Sequence, residues 1–209
     1  MFTHRCAAIM LLGIAACGGG GTTPTPQPNP AQTLSTIRLA SNAVSLSAGS
    51  TSNLAPVALD ASGRTISGVS GYTYTSSAPA VAEAQTSGAV LGIGAGSSTV
   101  TVSLTRDGVT ATSAAIVTVT GTLPVTATVA AGNADQTFAP ATVVVARNAS
   151  VTYTFGALLH NVTFRTAAGA PASIPSSTNS SAARSFPTAG DFPFDCSLHA
   201  GMTGTVVVR

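Results

Sequence analysis

The chain has 209 residues, only 7% of them charged, with eight Arg, six acids and no Lys. A formal net charge of +2 is too small and too scattered to gather phosphates, which excludes nucleic-acid binding. The length suits one large or two small domains. Abundant β-branched Val and Thr, broken by frequent Gly, Asn and Pro, point to an all-β class.

The N-terminus reads as a targeting segment. Arg5 supplies a short positive region, and residues 7–16, AAIMLLGIAA, form an apolar run. That run is about half the ~20 residues a helix needs to span a bilayer. It ends Ile14-Ala15-Ala16-Cys17, which resembles the lipobox of bacterial lipoproteins. The resemblance implies a signal peptide over 1–16, cleavage before Cys17 and a diacylglyceryl group on its sulfur. The alternative is an ordinary secretory signal. Paired acyl chains anchor a protein stably where one does not. Gly18 rather than Asp after the Cys favours the outer membrane. The expected location is the cell envelope, either periplasmic or anchored at the outer membrane or cell surface. Export places the mature chain in an oxidising compartment. With Cys6 in the signal and Cys17 lipidated, Cys196 remains as a lone thiol that calls for a ligand.

Residues 18–33, GGGGTTPTPQPNPAQT, combine four Gly with four Pro. Together with Cys17 they read as a tether with a reach on the order of 50 Å. Residues 34–121 hold short runs of partial alternation. The expected strands are Thr36 to Ala40, Val44 to Ser47, Val69 to Thr75, Val81 to Gln85, Ala89 to Ile93, Thr99 to Leu104 and Ala114 to Thr120. Turn clusters such as Asp60-Ala61-Ser62-Gly63 separate them, a rhythm that predicts a β-sandwich. Leu46-Ser47-Ala48-Gly49, Tyr72 to Ala82, Gly88-Ala89-Val90 and Gly94 to Val102 resemble the bacterial Ig-like domain, group 2 family, with Tyr74 where that family usually has Trp. The segment has no His, Met or Cys, and its acids Asp60, Glu83 and Asp107 sit at turns or alone. It reads as a spacer or adhesive module. Gly121 to Pro124 make a short joint that should limit domain motion.

Residues 125–209 predict a second, smaller sandwich, with strands at Val125 to Ala130, Thr142 to Ala146, Ser150 to Phe155, Asn161 to Thr166, Ala183 to Pro187, Asp191 to Cys196 and Thr205 to Val208. Here lie His160, Cys196, His199 and Met202. Apart from the N-terminal segment they are the whole supply of His, Met and free Cys, three of them within seven residues. One thiolate, two imidazoles and a weak axial thioether form the blue-copper donor pattern. Zinc accepts Cys and His but seldom a thioether. Cys196 closes a strand, His199 and Met202 lie on the turn after it, and His160 must come from elsewhere. A metal there would clamp two loops.

The segment Phe192 to Val208 is similar to the C-terminal motif of plastocyanin-like cupredoxins, and its Cys-x-x-His-x-x-Met spacing is most similar to amicyanin. Phe138 to Val145, Val151 to Phe155 and His160 to Phe164 extend the resemblance over nearly all of 125–209. It implies a Greek-key fold and one type 1 copper, with His160, Cys196 and His199 equatorial and Met202 axial. It also implies that Asn161 ties the ligand loops by hydrogen bonding near Ser197. A docking ring of Leu158, Leu159, Leu198, Ala200 and Gly201 would surround His199. Two departures stand out: Asn148 replaces a turn Gly, and Asp195 occupies a frequent aromatic position beside Cys196.

The expected function is a membrane-anchored carrier of single electrons between redox partners, not an enzyme. Multicopper oxidases and copper nitrite reductases need further His ligands than this chain has. A c-type cytochrome is the partner implied by family analogy, and a monomer is the default state. The alternative is a copper-binding or sequestering surface lipoprotein with an adhesive Ig-like module and no redox partner.

Overall fold

A computed structural model describes residues 32–132, 134–166 and 168–209. The signal-peptide segment 1–16, Cys17 and the linker up to residue 31 lie outside the described residues. The described chain is all-β. Its first half comprises β1 (Thr36–Arg38), β2 (Ala43–Ser47), β3 (Thr51–Asn53), β4 (Val57–Leu59), β5 (Thr73–Ser76), β6 (Ala82–Ala84), β7 (Ala89–Gly92), β8 (Gly94–Arg106) and β9 (Val109–Thr122). A four-stranded sheet in the order β2-β9-β8-β5 faces a three-stranded sheet β3-β7-β6, and β1 pairs with β4. The inward members of the alternation in β8 and β9 are Val100, Val102, Leu104, Ala111, Ala115, Val117 and Val119. They pack with Leu54, Ile66 and Val90 into one core, and each fully buried Val or Leu contributes roughly 1.5–3 kcal/mol.

The second half comprises β10 (Thr126–Ala131), β11 (Phe138–Ala139), β12 (Thr142–Val145), β13 (Ala149–Phe155), β14 (His160–Phe164), β15 (Ile174–Ser177), β16 (Ser180–Phe186), β17 (Gly190–Asp195) and β18 (Thr203–Val208). Sheets β11-β10-β13-β16 and β12-β18-β17-β14-β15 enclose a separate core. β10 runs parallel to β13 and β12 parallel to β18. At the centre, Phe194 meets Phe138 edge-on at 4.9 Å and Tyr153 at 5.3 Å. Such pairs add about 0.5–1.5 kcal/mol beyond area burial.

Several expectations need correction. β8 and β9 run well past the predicted Thr99–Leu104 and Ala114–Thr120, because Gly-, Ser- and Thr-rich flanks still pair across the Asp107-Gly108 turn. β5 begins only at Thr73, and β3, β4, β11 and β15 are strands beyond those expected, two to four residues long and lacking a clear apolar alternation of their own. Glu83 is not alone: its carboxylate pairs with Arg209, 126 residues away in sequence. Asn148 takes φ 65°, a backbone region Asn enters more readily than most residues.

Asp60 closes its turn from within. Its Oδ1 accepts the Ser62 hydroxyl at 2.6 Å and the Ser62 and Arg64 amides, each at 2.9 Å. The Ser62 hydroxyl, followed by the Arg64 amide, holds this carboxyl down to about 2. A depressed carboxylate stabilises the fold above its unfolded pKa, and the contribution is lost as pH falls through the folded value. In urea unfolding, the stability gap between wild type and Asp60→Asn should be full above pH ~4 and close toward pH ~2. A gap independent of pH would contradict this.

Candidate metal centre

The centre forms where two strand ends meet. β14 carries His160, Val162 and Phe164 inward in alternation, so His160 is drawn into the core edge and is fully buried. Its Nε2 lies 3.0 Å from the Gly132 carbonyl, an acceptor only, so that nitrogen donates and Nδ1 faces the site. On β17 the inward residues Phe192 and Phe194 lead to Cys196, which is 3% exposed. The loop after it folds back in short turns. The His199 amide donates to the Cys196 carbonyl at 3.2 Å, the Met202 amide to the His199 carbonyl at 3.3 Å, and the Cys196 amide to the Met202 carbonyl at 3.0 Å. Gly201 supplies the positive φ of 82° this reversal requires.

Gly204 lies beyond this turn and serves packing. It sits in β18 opposite Phe194, and a Cβ there would lie 2.4 Å from the Phe194 ring and 2.8 Å from the Ala141 carbonyl. Its lack of a side chain admits the aromatic ring that supports Cys196.

Cys196 Sγ lies 3.4 Å from Nδ1 of His199 and 3.8 Å from Nδ1 of His160. The three donor atoms all fall within 4.8 Å of one another. Bonds of about 2.0–2.3 Å in a trigonal plane space their donors by roughly 3.5–4 Å, so these separations suit a single ion. Met202 is buried beside them, 2% exposed, on the same loop. Two imidazole nitrogens, one sulfur and a neighbouring thioether are soft and borderline donors, a combination that selects copper. The donor set fits one type 1 copper.

No family model matches the chain, and no curated protein matches it. Among solved structures it is similar to a mutant plastocyanin of fern, with 28% identity over 39% of this chain and 99% of that one, at a TM-score of 0.36. It is also similar to a reduced amicyanin mutant, with 25% identity over 40% of this chain and 82% of that one, at 0.35. A purple cupredoxin from Nitrosopumilus maritimus gives 21% identity over 40% and 99%, at 0.33.

Around the donors, the structure brings together most of the residues singled out from sequence. Asn161 Nδ2 donates to the Ser197 hydroxyl at 2.7 Å, and its Oδ1 accepts the Ser197 amide at 2.9 Å. One side chain thus spans from the first ligand strand to the loop carrying the other donors. Leu159 and Leu198 are each 47% exposed, Ala200 and Gly201 are exposed, and Leu158 is half-buried. Asp195 points away from the core and pairs with the exposed Arg165 at 3.6 Å. Its charge is therefore partly neutralised at the surface instead of buried against the sulfur.

Sequence reasoning missed Gly132, Arg165 and the β15 segment behind His160. Gly132 acts through a carbonyl, which every residue possesses, so no side-chain signal could have revealed it. Arg165 was legible only as one of eight scattered cations.

Proposed function

We propose that this chain is a membrane-anchored electron carrier that passes single electrons between redox partners in the cell envelope, tethered through a lipid on Cys17. The observation that carries the reading is the buried His160, Cys196 and His199 donor set, with Met202 beside it, close under an exposed apolar edge. Copper held there supplies a one-electron couple. The protein's part is to keep its donors still. The Gly132 carbonyl fixes the His160 ring, the three loop hydrogen bonds fix Cys196, His199 and Met202, and Asn161 joins both sides. Donors that do not move leave little to reorganise when charge changes, which suits transfer more than catalysis. The described residues contain two histidines, both in this centre, so none is left to build a second copper site. This supports a carrier over an oxidase or a nitrite reductase, although one solved structure similar to the chain is a copper nitrite reductase, 24% of whose length is covered.

His199 is half-buried while His160 is enclosed, so the His199 edge is the shorter way out for an electron. Exposed Leu198, the neighbour of His199 in the chain, and exposed Leu159, next to His160 in the chain, offer an apolar contact of the small, transient kind redox partners use. A c-type cytochrome is the proposed partner. Leu159→Asp or Leu198→Asp should slow electron exchange with such a cytochrome by about tenfold or more, since seating a carboxylate in a dry contact costs ~1–3 kcal/mol. Copper content and visible absorption should be unchanged. Undiminished exchange in both variants would sink the docking surface, and a wild-type protein that holds copper but exchanges no electrons would favour sequestration.

A further inference from the structure

We propose that Arg209 is a clasp locking the two sandwiches into one rigid body, so that the first sandwich holds the metal centre in a fixed direction. Arg209 belongs to the second sandwich by its backbone: its amide donates to the Val145 carbonyl and its carbonyl accepts the Arg147 amide, each at 3.1 Å. Its side chain belongs to both. Nε and Nη2 engage the two carboxylate oxygens of Glu83 on β6, the second at 3.0 Å, while Nη1 donates to Asp191 on β17 at 2.7 Å. The arginine side chain is only 18% exposed. A planar guanidinium meeting a carboxylate along two parallel bonds fixes orientation as well as distance, which a lysine could not do. Partial burial also spares the pair most of the screening that weakens exposed ion pairs.

Two further contacts act with the clasp. Leu123 in the joint is buried, 7% exposed. Gly49, in the turn between β2 and β3, lies against it: a Cβ there would sit 3.7 Å from Leu123 Cδ2 and 3.8 Å from Val144 Cβ on β12. The joint is also stitched to the second sandwich, with the Ala146 amide on the Pro124 carbonyl and the Ser150 amide on the Val125 carbonyl, each at 2.9 Å. A covalent joint alone leaves rotation about itself. A packed turn and a two-pronged ion pair beside it remove that freedom.

The direction of the lock follows from register. β17 and β18 pair from Gly190 with Val208 to Asp195 with Thr203. Asp191 and Arg209 therefore stand at one end of this hairpin and Cys196 and Met202 at the other, about 17–23 Å away at ~3.3 Å per residue. In the first sandwich β2 runs parallel to β9, toward the joint, so the chain enters from the remote end. Clasp and metal centre thus stand at opposite ends of the β17–β18 hairpin. The first sandwich acts as a stiff spacer that turns the metal end away from where the chain comes in.

Amide NMR relaxation on the full chain tests it. Wild-type amides of both sandwiches should report one shared rotational correlation time. Arg209→Met removes the cation between two carboxylates and should split this into two shorter times, each roughly halved because the sandwiches are of similar size. Glu83→Gln, on the other sandwich, should split it likewise. The visible spectrum of the copper-loaded protein should not change in either variant, which separates opening of the clasp from damage to the centre. If Arg209→Met unfolds its own sandwich, Glu83→Gln decides. One unchanged correlation time in Glu83→Gln, or two separate times already in wild type, would overturn the clasp.

Discussion

Replacing Cys196 with Ser should abolish the intense thiolate-to-copper absorption of the Cu(II)-loaded protein. Sγ is the one soft anionic donor in the centre, 3.4 and 3.8 Å from the two imidazole nitrogens, and 3% exposed. An alcohol oxygen at the same place would remain protonated at neutral pH. It could supply neither the charge that offsets the metal nor the covalency that produces the colour. The variant should keep its fold, because the aromatic cluster of Phe138, Tyr153 and Phe194 does not include the sulfur. Met202→Ala should act differently, keeping the band but shifting it, since an axial thioether tunes a site that the other donors define. A wild-type protein that is colourless with copper, or prefers zinc, would overturn the copper assignment. A band surviving in Cys196→Ser would mean that another residue supplies the sulfur.

Asn161→Ala should weaken copper retention by about 10–100-fold in competition with a chelator, although Asn161 offers the ion no ligand. Its side chain donates to one polar group of Ser197 at 2.7 Å and accepts from another at 2.9 Å. These bonds hold the start of β14 against the Cys196 loop. Without them the loop bearing three of the four donors keeps its internal turns but loses its register against His160. The donor spacing then averages over a wider range, and part of the binding free energy goes into ordering the site. Asn161→Asp keeps one acceptor and loses the donor to the Ser197 hydroxyl, so it should fall between the two. Identical copper retention in all three proteins would show that packing alone sets the register.

Much of the centre was legible in the sequence because its parts are chemically rare. In a chain with 7% charged residues, every His, Met and free Cys beyond the N-terminal segment converges on residues 160–202. The Cys196 to Met202 spacing is local, so a strand end, a glycine turn and three donors could be read from seven consecutive residues. The Asn161 to Ser197 tie was legible only by resemblance, since nothing local connects positions 36 apart. The short strands β3, β4, β11 and β15 were illegible for another reason. Pairing with β7, β1, β10 and β14 holds them in place, while their own two to four residues show almost no pattern.

By itself the sequence determined the all-β class, through β-branched residues broken by turns, and the identity of the four donors, through their scarcity and spacing. Both are properties of residue type and near neighbours. Tertiary structure alone decided which nitrogen of His160 faces the sulfur, because that depends on a backbone carbonyl 28 residues away. It decided that Gly204 is needed for a ring to pass and not for a turn. It also decided that Glu83 meets Arg209 across 126 residues and not a cation of its own half of the chain. Each of these is a contact between groups common enough to pair anywhere, and only the packed chain selects which pairs form.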